Sequence, residues 1–282
     1  MPELPEVETT RRGIEPWVVG RILSRVEIRN SALRWPVQCP TELVGAEVLG
    51  LRRRGKYLLF YFQSGVMIVH LGMSGSLRVL QPTIPEPLPH DHVEWQFDDH
   101  VLRLNDPRRF GCVLYQPGDD AEQHPLLAHL GVEPLGNEFN GALLFKKSRR
   151  RKLAIKNFIM DSRIVVGVGN IYAAEALFMA GIRPGIAAGT VSANGYDELA
   201  AAIRAVLARA VEVGGTTLRD FVGADGQPGY FKQSLYVYGR DGQPCRVCGA
   251  ELRLKQIGQR SSVYCPKCQT ANRFVPLARR SG

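Results

Sequence analysis

The most specific chemistry in this chain sits near its end, where Cys245-x-x-Cys248 is followed after sixteen residues by Cys265-x-x-Cys268. Two short knuckles at that spacing supply four thiolates to one tetrahedral zinc. Cytosolic thiols stay reduced, so such pairs argue for a metal over disulfides. Four thiolates leave no open coordination position, which makes the zinc structural and not catalytic. Arg246, Arg253, Lys255, Arg260 and Lys267 surround the pairs. They suit a finger lying along DNA, and equally a small ribbon with solvated charge. The other two cysteines, Cys39 and Cys112, stand alone and read as buried structural thiols.

The second site of possible chemistry is the opening Met1-Pro2-Glu3-Leu4-Pro5-Glu6. A small second residue favours removal of the initiator methionine, which leaves Pro2 with a free secondary amine. An α-amino group has a pKa near ~8, so a useful neutral fraction exists at physiological pH. Such an amine can attack a sugar C1′ and form an iminium. Glu3 and Glu6 supply carboxylates that can shuttle protons or stabilise positive charge developing on the sugar. Taken alone, the same residues also describe a proline that merely starts a helix.

The elements that must hold these groups differ along the chain. The first ~130 residues read mainly as strands at the spacing of an antiparallel sandwich. Tyr57–Phe62 and Val66–His70 form one hairpin, and His92–Phe97 with Val101–Leu104 another. One helix interrupts the start, with Pro5 in its first turn and Glu6 and Glu8 near its positive end. The Pro-rich stretch 81–89 reads as a loop. From about Pro134 the periodicity becomes helical, over Gly141–Lys147, Arg151–Met160, Ile171–Ala180 and Tyr196–Val213, the last stopped by Gly214-Gly215. A hairpin-like pattern around the cysteines closes the chain. The expected organisation is α+β and multidomain: a β-sandwich domain over 1–130 with flanking helices, a helical domain over 134–224, a β-hairpin zinc finger over 236–270 and a basic tail over 271–282.

Thirty-six lysines and arginines against 27 aspartates and glutamates give a net charge of +9, which favours a polyanionic partner. No apolar run approaches the ~20 residues of a membrane span, and the acidic N-terminus does not resemble a signal peptide. A cytoplasmic, nucleoid-associated protein is expected, with no membrane partner.

Met1-Pro-Glu-Leu-Pro-Glu-Val-Glu-Thr9 resembles the opening of the formamidopyrimidine-DNA glycosylases. The resemblance continues through His70-Leu-Gly-Met-Ser-Gly75, Asp106-Pro-Arg-Arg-Phe-Gly111 and Gly167-Val-Gly-Asn-Ile-Tyr172 to the four cysteines, in family order. It implies a bifunctional enzyme that removes 8-oxoguanine and formamidopyrimidines from damaged double-stranded DNA and then cuts the strand. Pro2 is the implied nucleophile and Glu3 the implied proton donor. Lys56 matches the lysine of β-elimination and Arg260 the arginine of δ-elimination. Met73, Arg108 and Phe110 match a wedge that fills the gap left by the everted nucleotide, where planar or apolar groups offset unstacking. Arg108 would also face the orphaned base.

The resemblance further implies a helix–two-turn–helix unit whose turn presents Asn170 to phosphate. It assigns Lys156, Arg151 and His90 to the DNA surface and His70 to the side of the wedge. Thr216–Phe221 through Tyr230-Phe231 matches the segment that covers the everted base. One structural zinc per chain is expected from the cysteines, nothing implies an organic cofactor or an obligate oligomer, and a monomer is expected. The longer tail after Cys268 departs from the motif and receives no role. Two other readings stand beside this one: an endonuclease VIII-like enzyme for oxidised pyrimidines, which the residue Leu4 and the Arg108–Phe110 wedge disfavour, and a non-catalytic zinc-stabilised DNA-binding protein. A zinc ribbon for single-stranded RNA is weaker, because no aromatic stacking surface is evident.

Overall fold

The first helix, α1 (Leu4–Val18), begins where its sequence requires. Glu3 occupies the cap, Pro5 falls in the first turn, where a missing N–H costs nothing, and Glu3 and Glu6 close a capping box. Leu4, Val7, Ile14 and Val18 recur on one face and are buried. A computed structural model describes residues 2–214 and 235–270 of the chain. The segment matched to the everted-base cover and the basic tail, with Met1, lie outside the described residues. The chain divides into two units, Met1–His129 with Ala210–Lys232 and Leu130–Arg209 with Gln233–Gly282.

In the first unit the strands build two antiparallel sheets. β1 (Arg25–Ile28), β6 (Asp91–Gln96), β7 (Val101–Asn105) and β5 (Ser76–Leu80) lie in the order β1-β6-β7-β5. β2 (Gly50–Arg54), β3 (Tyr57–Tyr61), β4 (Gly65–His70) and β8 (Cys112–Pro117) lie in the order β2-β3-β4-β8. Alternation sends Leu58, Phe60, Met67 and Val69 from one sheet and Leu77, Val93, Trp95, Leu102 and Leu104 from the other into a single core, closed by Val7, Ile14 and Val18 of α1. Phe60 pairs with Met67 and Leu58 with Val69, so a slip of one residue would turn both pairs out of the core. Truncating a core aromatic such as Phe60 to alanine should cost about 3–5 kcal/mol. Both expected hairpins are present; β1, β2, β5 and β8, which carry more arginine or more irregular patterning, were not expected individually.

In the second unit, α2 (Gly141–Ser148) is capped by Asn140, whose side chain accepts from Leu143 N–H at 2.8 Å. α4 (Asn170–Met179) is buried on every side from Ile171 to Phe178, which makes it the unit's central helix. α5 (Ala193–Glu212) starts three residues earlier than the periodicity suggests, because Ser192 Oγ accepts the Gly195 N–H at 3.1 Å. The helix expected over Arg151–Met160 is only α3 (Ile155–Ile159). Residues before it are extended: Ala154 bridges Ala187, Ala188 N–H donates to Leu153, and Ile155 N–H donates to Ile186. Tertiary pairing has overridden local helical pattern there. The last hairpin among the described residues, β9 (Arg253–Ile257) with β10 (Arg260–Tyr264), turns at Gly258 in the left-handed region.

Candidate active site and nucleic-acid interface

Pro2 is buried at the entrance to α1, and the two carboxylates after it are buried as well, Glu3 at 2% and Glu6 at 0% exposure. Glu3 N–H donates to Glu6 Oε2 at 2.8 Å, so the backbone that follows Pro2 is fixed by its own helix. One turn on, Glu8 ties α1 to β2 through Arg53 at 3.1 Å and also pairs with Arg11 and Arg12. Burial opposes its ionisation, but the three guanidiniums outweigh that and hold its carboxyl below the usual range. Lys56 follows Gly55 in the β2–β3 turn, which is left-handed at Gly55 and braced by the Arg53 guanidinium donating to Gly55 O at 2.9 Å. Pro2, Glu3 and Lys56 thus sit on two elements tied together by Glu8.

His70 closes β4. Its Nδ1 accepts the Gly72 N–H at 3.0 Å, which leaves the neutral ring's proton on Nε2. Burial, with Lys56 and Arg34 adding positive charge, pulls its pKa down to about 4. The ring also leans on Tyr57, centroids 4.8 Å apart.

Two loops then meet back to back. Met73 and Phe110 are 36% and 43% exposed, large apolar side chains held out from the protein. Gly72 takes φ +62°, and a Cβ there would lie 2.4 Å from Phe110 C and from Gly111 N. Only glycine lets the two loops approach. Beneath them, the fully buried Asp106 accepts from Ser74 Oγ at 3.2 Å and from Gly111 N–H at 2.7 Å, while its carbonyl lies 2.9 Å from His92 Nε2. One carboxylate therefore pins both tips. Arg108 rests its guanidinium over the Phe110 ring, 5.0 Å from the centroid. His90 is exposed at the foot of the same loop with φ +75°, and Asp106 N–H donates to its carbonyl.

The second unit carries the remaining residues singled out in the sequence. Asn170 is the first residue of α4, after Gly169 at the cap position, and its side-chain Oδ1 is buried without a partner among the described residues. Arg151 is exposed, donating to Lys147 O at 2.8 Å, with its guanidinium 5.7 Å from the Phe158 ring. Lys156, assigned by resemblance to the DNA surface, is only 1% exposed. Its ammonium donates to Ser261 O at 3.1 Å and Ser262 Oγ at 2.7 Å. It locks α3 to β10 at the position beside Arg260, which is itself exposed at the start of that strand.

The four cysteine sulfurs all lie within 4.8 Å of one another, with Cys248–Cys265 at 3.4 Å and Cys245–Cys268 at 3.9 Å. A tetrahedron of thiolates ~2.3 Å from zinc has edges of roughly 3.8 Å, so the group fits the metal. Three of these cysteines pack with Val237, Leu252 and Val263 against Ala174 and Phe178 of α4, so the finger shares its core with the helical unit. Sequence reasoning missed Glu175. Its buried carboxylate accepts three backbone N–H groups, from Tyr236, Val237 and Tyr238, at 2.8–2.9 Å. An acid inside the otherwise apolar 171–179 run was the available signal.

A proline before two buried carboxylates, an apolar-tipped basic loop face and a four-thiolate hairpin packed on a helix define a class: a two-unit basic protein with a zinc finger. Three family models match in chain order: the formamidopyrimidine-DNA glycosylase N-terminal domain over residues 1–113, its H2TH domain over 130–222, and the zinc finger found in FPG and IleRS over 242–271. A formamidopyrimidine-DNA glycosylase of Burkholderia thailandensis is 59% identical over 275 residues, 95% of this chain and 100% of that protein. The crystal structure of the MutM (Fpg) protein of Thermus thermophilus shares 38% identity at a TM-score of 0.87, covering 96% of this chain and 100% of that one. Wild-type Lactococcus lactis Fpg in complex with N7-benzyl-Fapy-dG DNA shares 32% identity at a TM-score of 0.86, over 95% and 99% of the two chains. The chain belongs to the formamidopyrimidine-DNA glycosylase family.

Proposed function

We propose that this chain is a base-excision-repair enzyme that removes oxidised purines, 8-oxoguanine and formamidopyrimidines, from duplex DNA and cuts the strand by β,δ-elimination. The observation that carries the reading is the buried Pro2, followed directly by the buried Glu3–Glu6 capping pair, at the start of a family-matched sheet domain. With methionine removed, the Pro2 amine attacks C1′ of the damaged nucleotide and Glu3 gives a proton as the sugar ring opens and the base departs. The product is an iminium joining Pro2 to C1′. Its positive charge acidifies C2′, loss of that proton expels the 3′ phosphate, and a second elimination expels the 5′ phosphate. Lys56 and Arg260 are the cations proposed beside these departures, where negative charge concentrates.

Met73, Arg108 and Phe110 are proposed to fill the stack after eversion, with Arg108 facing the orphaned cytosine. His70, His90, Arg151 and Asn170 are proposed phosphate and groove contacts, and Lys156 supports that surface from beneath Arg260. Cys245, Cys248, Cys265 and Cys268 would hold a zinc that shapes the finger and takes no part in bond breaking. The functional segments are proposed as 1–130, 134–224 and 236–270. No helix among the described residues is long and apolar enough to cross a membrane; a monomer working in the cytoplasm at the nucleoid is proposed.

A duplex with 8-oxoguanine opposite cytosine tests this reading on a denaturing gel. A one-nucleotide gap flanked by phosphates is expected. Preferred cutting at oxidised pyrimidines would favour the endonuclease VIII-like alternative, and tight binding without cutting would favour a DNA-binding relic.

A further inference from the structure

Beside the wedge runs a short arm, residues 30–38, that neither the chemistry above nor the family models' names account for. It covers β8, an edge strand of its sheet: Arg34 N–H donates to Gly111 O at 3.2 Å and Gln38 N–H to Val113 O at 2.9 Å. The arm is tied to itself by the Ala32–Pro36 bridge, by Val37 N–H donating to Ser31 O, and by Asn30 Oδ1 accepting from Ala32 N–H at 2.9 Å. Leu33 anchors it in the core. Covering a sheet edge needs backbone and a proline such as Pro36. It does not need what the tip displays.

At the tip, Arg34 is exposed, with its guanidinium 4.7 Å from the ring centroid of Trp35, itself 36% exposed. Among the described residues the Arg34 side chain makes no ion pair and no hydrogen bond. Its backbone is bonded to the residue that follows Phe110. Its charge also reaches the His70 ring, together with that of Lys56. Two cations, Arg34 and Lys56, therefore act on the same ring beside the wedge, and among the described residues no carboxylate pairs with Arg34. A stacked guanidinium on an exposed aromatic is a surface suited to a phosphate next to a sugar or base face.

We infer that Arg34 and Trp35 form a further DNA contact, Arg34 binding a backbone phosphate beside the everted nucleotide and Trp35 packing on the adjoining sugar or base. This rests on the DNA-repair reading above. Binding of a duplex carrying a tetrahydrofuran abasic analogue, followed by fluorescence anisotropy over a series of KCl concentrations, tests it. R34Q should weaken binding about ten-fold and reduce the slope of log K against log salt by about 0.9, the loss of one phosphate contact. R34K should keep the slope. Of the three tryptophans Trp35 is the exposed one, so its emission should change on binding in the wild type and not in W35F. Thermal melts establish that each variant is folded. Wild-type affinity and slope in R34Q, with no change in Trp35 emission, would overturn the inference. If instead the wild type neither prefers the abasic duplex nor is trapped on a true abasic site by borohydride, the repair reading itself has failed.

Discussion

At the scale of residues, buried acids do the positioning. Glu175 takes three N–H donors that lead into the zinc finger, and Asp106 pins both wedge tips. Substituting Glu175→Ala removes the acceptor of one buried and two partly buried N–H donors, a buried donor left unmet costing about 1–3 kcal/mol, so a loss of about 2–4 kcal/mol is expected in urea unfolding; a loss below ~1 kcal/mol would count against this role. His70 makes a pH-dependent prediction. Burial first, then Lys56 and Arg34, hold its pKa at about 4 against an ordinary 6.5. The stability gained by keeping the ring neutral is complete above 6.5 and is lost as pH falls from there toward 4, since the unfolded chain takes up the proton first. An NMR titration of the free protein should place its midpoint near 4, and a midpoint at 6.5 would contradict the pocket described. Of these residues, the sequence exposed His70 and the wedge through their motifs. Glu175 and the burial of Lys156 were hidden because their partners, Tyr236–Tyr238 and Ser261–Ser262, lie 61 to 106 positions away.

At the scale of elements, the wedge depends on a glycine. Gly72→Ala would put a methyl 2.4 Å from the Phe110 and Gly111 backbone at φ +62°. A destabilisation of about 2–4 kcal/mol is expected. The functional effect should fall more heavily on release of 8-oxoguanine than on cutting at a preformed abasic site, which needs no base to be everted; equal effects on both would argue that the wedge takes no part in eversion. The hairpins of the sandwich and most helices were legible because period-2 and period-3.6 patterns are set by local burial. The shortened α3 shows the limit of that signal: Arg151–Leu153 reads as helix, but pairing of Leu153–Ile155 with 186–188 fixes it as extended chain. β2, with three consecutive arginines, escaped because its charges pair with Glu8 and Glu122 and stay on a sheet.

At the scale of the whole molecule, charge and metal set what the protein can do. A net charge of +9 predicts affinity for DNA that falls linearly with log salt. The zinc hairpin was fully legible as a metal site, yet its sharing of a core with α4 was not, because that core forms from Ala174 and Phe178, far away in sequence. Removing zinc should therefore do more than loosen the finger. Treatment with a strong chelator is expected to lower the unfolding temperature of the helical unit and to abolish duplex binding; a finger lost with the helical melting transition unchanged would contradict the shared core.

The most direct test of the proposed chemistry is borohydride reduction of the enzyme on a duplex carrying 8-oxoguanine opposite cytosine, with the adduct mapped by peptide mass spectrometry. Attack by the N-terminal imino acid predicts one covalent adduct, on the nitrogen of a Pro2 freed of Met1. An adduct on Lys56 or any other lysine, or none at all despite intact duplex binding, would contradict it.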